Sequence, residues 1–124
     1  MEGFSSKIRE TSRQLTAKER VKFKDTTDAV RLDEATRNGS VLIYPEIWGV
    51  LDIHNEHSDD KDYVQYIIIG KDGEKYVTGS KSLWSSFMDI AEDMAGEEEE
   101  WGIKVYRVPS KNYQGRDFIT CSIE

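Results

Sequence analysis

Tyr63, Tyr66, Tyr76, Tyr106, Tyr113 and Phe118 lie on or beside segments whose alternating pattern suits β-strands. Lys75, Lys104, Arg107, Lys111 and Arg116 fall close to them in the chain. A flat ring can take the face of a nucleobase, at about 1–3 kcal/mol per base, while a cation follows the phosphates. A single-stranded nucleic acid needs both kinds of group. The run Lys111-Asn112-Tyr113-Gln114-Gly115-Arg116 sets a ring between two cations in what reads as a hairpin loop. Strands are enriched in tyrosine in any case, where the ring simply fills a sheet surface. Composition alone therefore leaves both readings open.

Other chemistries have less to work with. His54-Asn55-Glu56-His57, followed by Asp59, Asp60 and Asp62, supplies metal-ligand types. It is not the HExxH helix and no second cluster completes it, so a solvated polar loop is expected and no metal. No GxSxG elbow, P-loop or GxGxxG occurs, and the carboxylates sit in charge runs where nothing apolar would raise a pKa. No enzyme and no cofactor is expected. Cys121, the single cysteine, falls in a strand pattern and reads as a small buried hydrophobe. Trp84 belongs to an apolar helical stripe and reads as core. Trp48 reads as core or a stacking platform, and Trp101, after four glutamates, as an anchor for a loop.

The elements that would position these groups can be traced along the chain. Residues 1–16 hold Phe4, Ile8 and Leu15 without an apolar period, which predicts a mobile arm, basic through Lys7, Arg9 and Arg13. Val21 and Phe23 alternate with Lys22 and Lys24, as in a short strand. Val30 and Leu32 hint at another, and Asn38-Gly39 marks a turn. Val41 to Tyr44, then Pro45, then Ile47 to Ile53 read as one long strand bent at the proline, which cannot donate to a ladder. Tyr63 to Ile69 and Lys75 to Thr78 form a hairpin around Asp72-Gly73. Leu83, Trp84, Phe87, Met88, Ile90, Ala91, Met94 and Ala95 recur at spacings of three and four, a helix capped by Ser80 or Ser82 and ended by Gly96. Ile103 to Val108 and Asp117 to Ile123 make a second hairpin.

This order, β-β-β-α-β-β, matches a five-stranded Greek-key barrel of the OB type. The expected fold is α+β, mostly β: an OB-like barrel with one helix and an N-terminal arm or extra strands. The expected organisation is a flexible arm over residues 1–18 and one domain over 19–124, which suits a length of 124 residues.

Charge is distributed unevenly within a net −7. Residues 1–38 balance to +2, residues 39–103 to −11 and residues 104–124 to +2. Net acidity opposes non-specific attraction to nucleic acid at long range and leaves room for a local basic groove. A polar N-terminal stretch, one cysteine and the absence of a 20-residue apolar run lead to the expectation of a soluble cytoplasmic protein without membrane contact.

Four features occur in order from residue 63 onward. They are the Asp72-Gly73 hairpin with Tyr76, the serine-flanked helix, the cationic strand Ile103-Lys104-Val105, and Ser110-Lys111 to Gly115 followed by Phe118. The arrangement resembles the small single-stranded DNA-binding proteins of tailed phages with protein-primed replication. It covers roughly half the chain, and the first 40 residues have no counterpart in it. The resemblance implies a phage-encoded protein that coats displaced strands in the host cytoplasm, with Tyr76, Lys104, Lys111 and Phe118 on matching positions and replication proteins as further partners. Many single-strand binders end in a flexible acidic tail; this chain instead carries its acid at Asp59 to Asp62 and Glu97 to Glu100. From residues and resemblance together the expected function is sequence-tolerant single-stranded DNA binding in replication or recombination. The alternative is an acidic protein-interaction module, a host-protein inhibitor or DNA mimic, suggested by the −11 centre.

Overall fold

Pro45 falls where the long central run changes sheets. In the computed structural model, which describes residues 4–109 and 117–124, the elements run in chain order: β1 (Phe4–Thr11), α1 (Ala17–Lys24), β2 (Val30–Arg31), α2 (Leu32–Ala35), β3 (Val41–Ile43), β4 (Pro45–Asn55), β5 (Asp62–Gly70), β6 (Lys75–Thr78), α3 (Lys81–Met94), β7 (Ile103–Pro109) and β8 (Asp117–Ile123). β3 and β4 are separated by Tyr44 alone, yet β3 pairs with β7 while β4 pairs with β5. The ladder is irregular between Pro45 and Ile47, as expected where a residue lacks an N–H.

Two sheets result. Five strands lie in the order β1-β4-β5-β6-β2, antiparallel except for the short β2–β6 pair, and three lie in the order β3-β7-β8. Among the described residues no ladder joins the outer strands of the two sheets, so the chain is α+β and mostly β, and it is not closed into a barrel.

Period-two alternation along β4 places apolar side chains on both faces of the large sheet. Ile47, Leu51 and Ile53 face one side with Ile67 and Val77, where Leu15 and Phe23 cover them. Val50, Tyr66, Ile68 and Tyr76 face the other, against Leu83, Trp84, Phe87 and Ala91 of α3 and against Ile43, Ile103, Val105, Ile119 and Cys121 of the small sheet. Trp48 joins the two layers, edge-on to Phe87 at 5.3 Å and to Trp101 at 5.9 Å between ring centroids. α3 forms as its apolar spacing predicts. Ser80 Oγ accepts from the Leu83 N–H at 3.2 Å, and Gly96 adopts φ +84° just past the C-cap, where a glycine carries no steric penalty.

The N-terminal third departs from expectation. Residues 4–11, read as part of a mobile arm, are an edge strand paired along β4 from Phe4↔Asn55 to Thr11↔Gly49. The tertiary partner supplies what the sparse apolar pattern does not. Val21 to Lys24, read as a strand, belong to helix α1. Thr16 Oγ1 accepts from the Glu19 N–H at 3.2 Å and Glu19 Oε1 accepts from the Thr16 N–H at 2.9 Å, a capping box that starts the helix. The helix needs only Phe23 to anchor it, so its apolar pattern is too short to show a period.

Candidate nucleic-acid interface

The β7–β8 hairpin buries Ile103, Val105, Ile119 and Cys121 on its inner side. Alternation then turns Lys104, Tyr106, Phe118 and Ser122 to its outer side. The register pairs Lys104 with Ser122, Tyr106 with Thr120 and Val108 with Phe118. Tyr106 and Phe118 are thus diagonal neighbours, roughly 7–8 Å apart at Cα by sheet geometry. Phe118 remains 41% exposed although it is a large apolar ring, and Tyr106 is half-buried. Lys104 extends from the same face and is exposed. Beside it, a recess of about 510 Å³ opens between the Gly39-Ser40 turn and β7, floored by Lys104, Tyr106 and Ser122. On the opposite flank Ser86 of α3 meets Thr120 Oγ1 at 3.0 Å, and Ser82 Oγ donates to the Ile119 carbonyl at 2.9 Å. Helix α3 thus borders this face along β8.

The remaining expected residues are not brought to this face. Tyr66 and Tyr76, each 8% exposed, belong to the core; Tyr66 stacks on Trp84 at 4.8 Å and 16°. Their strands lie between layers, so the alternation that was read as surface points them inward. They have no face left for a base. Tyr63 is half-buried beside the opposite core, on the α1 side of the large sheet. Lys75 also lies away from the site: its Nζ donates to the main-chain carbonyls of Lys22 and Asp25 at the end of α1, and burial pushes its pKa down. Arg107 is a tie rather than a free cation. Its Nε donates to Thr36 Oγ1 at 3.1 Å, its Nη1 to Asp117 Oδ1 at 2.8 Å, and its Nη2 to the Asp33 carbonyl, joining α2, β7 and β8. Lys111, Tyr113 and Arg116 lie outside the described residues.

One member of the outer face was missed. Leu42, 49% exposed, stands opposite Lys104 in the β3–β7 ladder and extends the apolar surface. The strand pattern of Val41 to Ile43 was visible; its pairing with a segment some 60 residues on was not.

Elsewhere, the protonated His54 ring donates to Asp62 Oδ1 at 2.7 Å through Nδ1 and to Glu56 Oε1 at 3.2 Å through Nε2, and both carboxylates raise its pKa. The ring is held between acids at the mouth of the β4–β5 loop. Among the described residues no group of three or more His, Cys, Asp or Glu is placed to hold a metal ion. Burial pushes the Cys121 thiol up to about 11, so it stays protonated at neutral pH. No helix among the described residues is long and apolar enough to cross a membrane. Comparison with family models, with curated proteins and with solved structures finds no match to this chain.

Proposed function

We propose that this chain is a sequence-tolerant single-stranded DNA-binding protein, acting in replication or recombination, and that the outer face of β7 and β8 is its base-stacking surface. The observation that carries the reading is the placement of Tyr106 and Phe118 at diagonal positions on one exposed strand pair, with Lys104 alongside. Two rings at that separation offer platforms for separate bases, and a neighbouring ammonium offers a partner for phosphate.

The strand order supports an open relative of the OB barrel. A long strand divided at Pro45 pairs with a hairpin on one side and with the last two strands on the other, and the helix falls between β6 and β7. OB barrels bind oligonucleotides on their second and third strands, which correspond to β5 and β6. Here the middle of one face of that pair packs on α3 and the small sheet, and the other packs on Phe23 and Leu15. The site moves accordingly to the strand pair that remains uncovered.

Fluorescence anisotropy with labelled oligo-dT at about 50 mM salt, where phosphate contacts are strong, tests the reading. Tyr106→Ala and Phe118→Ala should each weaken binding by about 1–3 kcal/mol. Lys104→Gln should instead reduce the slope of log K against log salt by about 0.7, the value of one phosphate contact on a single strand. No binding at low salt by the parent protein overturns the proposal. Recovery of one stoichiometric protein partner, without oligonucleotide affinity, favours the acidic interaction module.

A further inference from the structure

We propose that the outward face of α1 is a second contact for the same single strand, made to its phosphate backbone. The inference rests on the single-strand reading and extends it to a part of the molecule that the ring-bearing face does not reach. Residues 12–24 hold five of the chain's 17 Lys and Arg but only one of its 24 Asp and Glu, in a protein of net −7. That one acid, Glu19, is already engaged by Arg13 at 2.6 Å and by the Thr16 cap. Phe23 points into the core. Val21, two residues earlier on a helix of 3.6 residues per turn, therefore points directly away from it, and it is 66% exposed. Lys18 and Lys22 flank Val21 on one side, Arg20 and Lys24 on the other, and all four are exposed.

Two like-charged pairs, Lys18–Lys22 and Arg20–Lys24, thus lie at i,i+4 on a helix of only eight residues. Such pairs oppose helix formation. Among the described residues no carboxylate forms an ion pair with any of these four cations. A continuous polyanion would relieve this repulsion, with the two rows of cations along its phosphates and Val21 against sugar between them. α1 packs on one face of the large sheet while the small sheet packs on the other. A strand touching both sites must pass around the sheet edge, so only a long one reaches both.

The test compares an oligo-dT of about 6 nucleotides with one of about 30, because a single OB fold covers about 4–16. The probe variants are Lys18→Gln with Lys22→Gln, and Arg20→Gln with Lys24→Gln. Each removes a repulsive pair, against which stand the last-turn positions of Lys22 and Lys24 and the hydrogen bond that Arg20 Nη1 donates to the Leu15 carbonyl at 3.0 Å, so binding is compared at a temperature where the melting curves show the parent and both variants fully folded. The expected result is a loss confined to the long oligonucleotide, with its salt slope reduced by about 1.4, or 0.7 for each contact. Tyr106→Ala should lose affinity for both lengths. An unchanged long-oligonucleotide slope in both charge variants overturns the α1 contact while the β7–β8 reading stands. Sedimentation that shows self-association of the parent at low salt, abolished in those variants with the slope intact, assigns α1 to a second copy of this chain and equally overturns it. Absence of binding at either length by the parent removes both proposals together.

Discussion

A methyl group at position 49 would stand 2.3 Å from the Glu10 carbonyl oxygen and 3.0 Å from Phe23 Cζ. Gly49 is therefore where the β1 backbone and the α1 anchor both close on β4, and neither can withdraw without unpacking the α1 side of the sheet. Gly49→Ala should destabilise the fold by about 1–3 kcal/mol, as overpacking of a filled core does, read as a lower urea midpoint with unchanged m. The sequence cannot show what approaches Gly49, because Glu10 and Phe23 arrive from 39 and 26 residues away. The tyrosines teach the same lesson. Alternation tells which residues share a face, and it is silent on which face meets another layer; Tyr66 and Tyr106 look alike in sequence and end on opposite sides of that division. His54 yields a second residue-level prediction. Asp62 and Glu56 let the folded protein hold the imidazole proton to higher pH than the unfolded chain does. The resulting stabilisation is complete below the ordinary imidazole value of about 6.5 and disappears as pH rises through the raised folded value. Urea midpoints should fall across that window in the parent, and His54→Gln should flatten the fall. An equal pH dependence in the variant would assign the effect to other groups.

Helix α1 carries the proposed backbone contact, and its start was legible in a motif rather than in periodicity. Thr16-Ala17-Lys18-Glu19 has the S/T-x-x-E form of a capping box, whereas the alternation of Val21 and Phe23 with lysines imitates a strand. With one buried anchor, a helix this short depends on its ends. Thr16→Ala should cost about 1 kcal/mol, measured by urea unfolding, because the Glu19 N–H loses its acceptor. The hydrogen bond from Arg13, together with that from the Thr16 N–H, holds the Glu19 carboxyl down to about 2, against an ordinary 4.5. The folded state thus binds this proton less readily than the unfolded chain, so the contribution is present above pH 4.5 and is lost as pH falls towards 2. Glu19→Gln should remove that part of the acid sensitivity, seen as a shallower decline of the urea midpoint over the same range. β1 had no comparable signal. An edge strand whose outer side faces water needs few apolar residues, and Ile8 alone of its described side chains packs on the core. The later elements, β5 through β8 with α3, carry their own turns, caps and periods, which is why they emerge from sequence with nearly their observed bounds.

At the scale of the whole molecule, the succession of elements from β3 onward was readable and the closure of the barrel was not. Closure depends on whether the edges of two sheets meet, a long-range matter with no local signature, and here α3 lies along β8 instead. The two cores share the large sheet, one on each of its faces. Ile67 and Ile68, adjacent in β5, belong to opposite cores and are both fully buried, so neither cluster can open without disturbing a strand that holds the other. Phe87 is the test of that coupling. It is fully buried and has ring neighbours in all three layers around it: Trp48 of the large sheet, Trp84 of its own helix and Trp101 at the entrance to β7. Phe87→Ala should cost about 3–5 kcal/mol through lost contacts and a cavity. If the cores are coupled, tryptophan emission, which reports the α3 side, and far-ultraviolet circular dichroism, which reports the whole backbone, should move together to a lower denaturant midpoint and remain superimposable. Separation of the two curves would mean that β1 and α1 survive on the large sheet after the small sheet has come away. The β7–β8 face would then be a detachable module rather than a surface held in place by the rest of the fold.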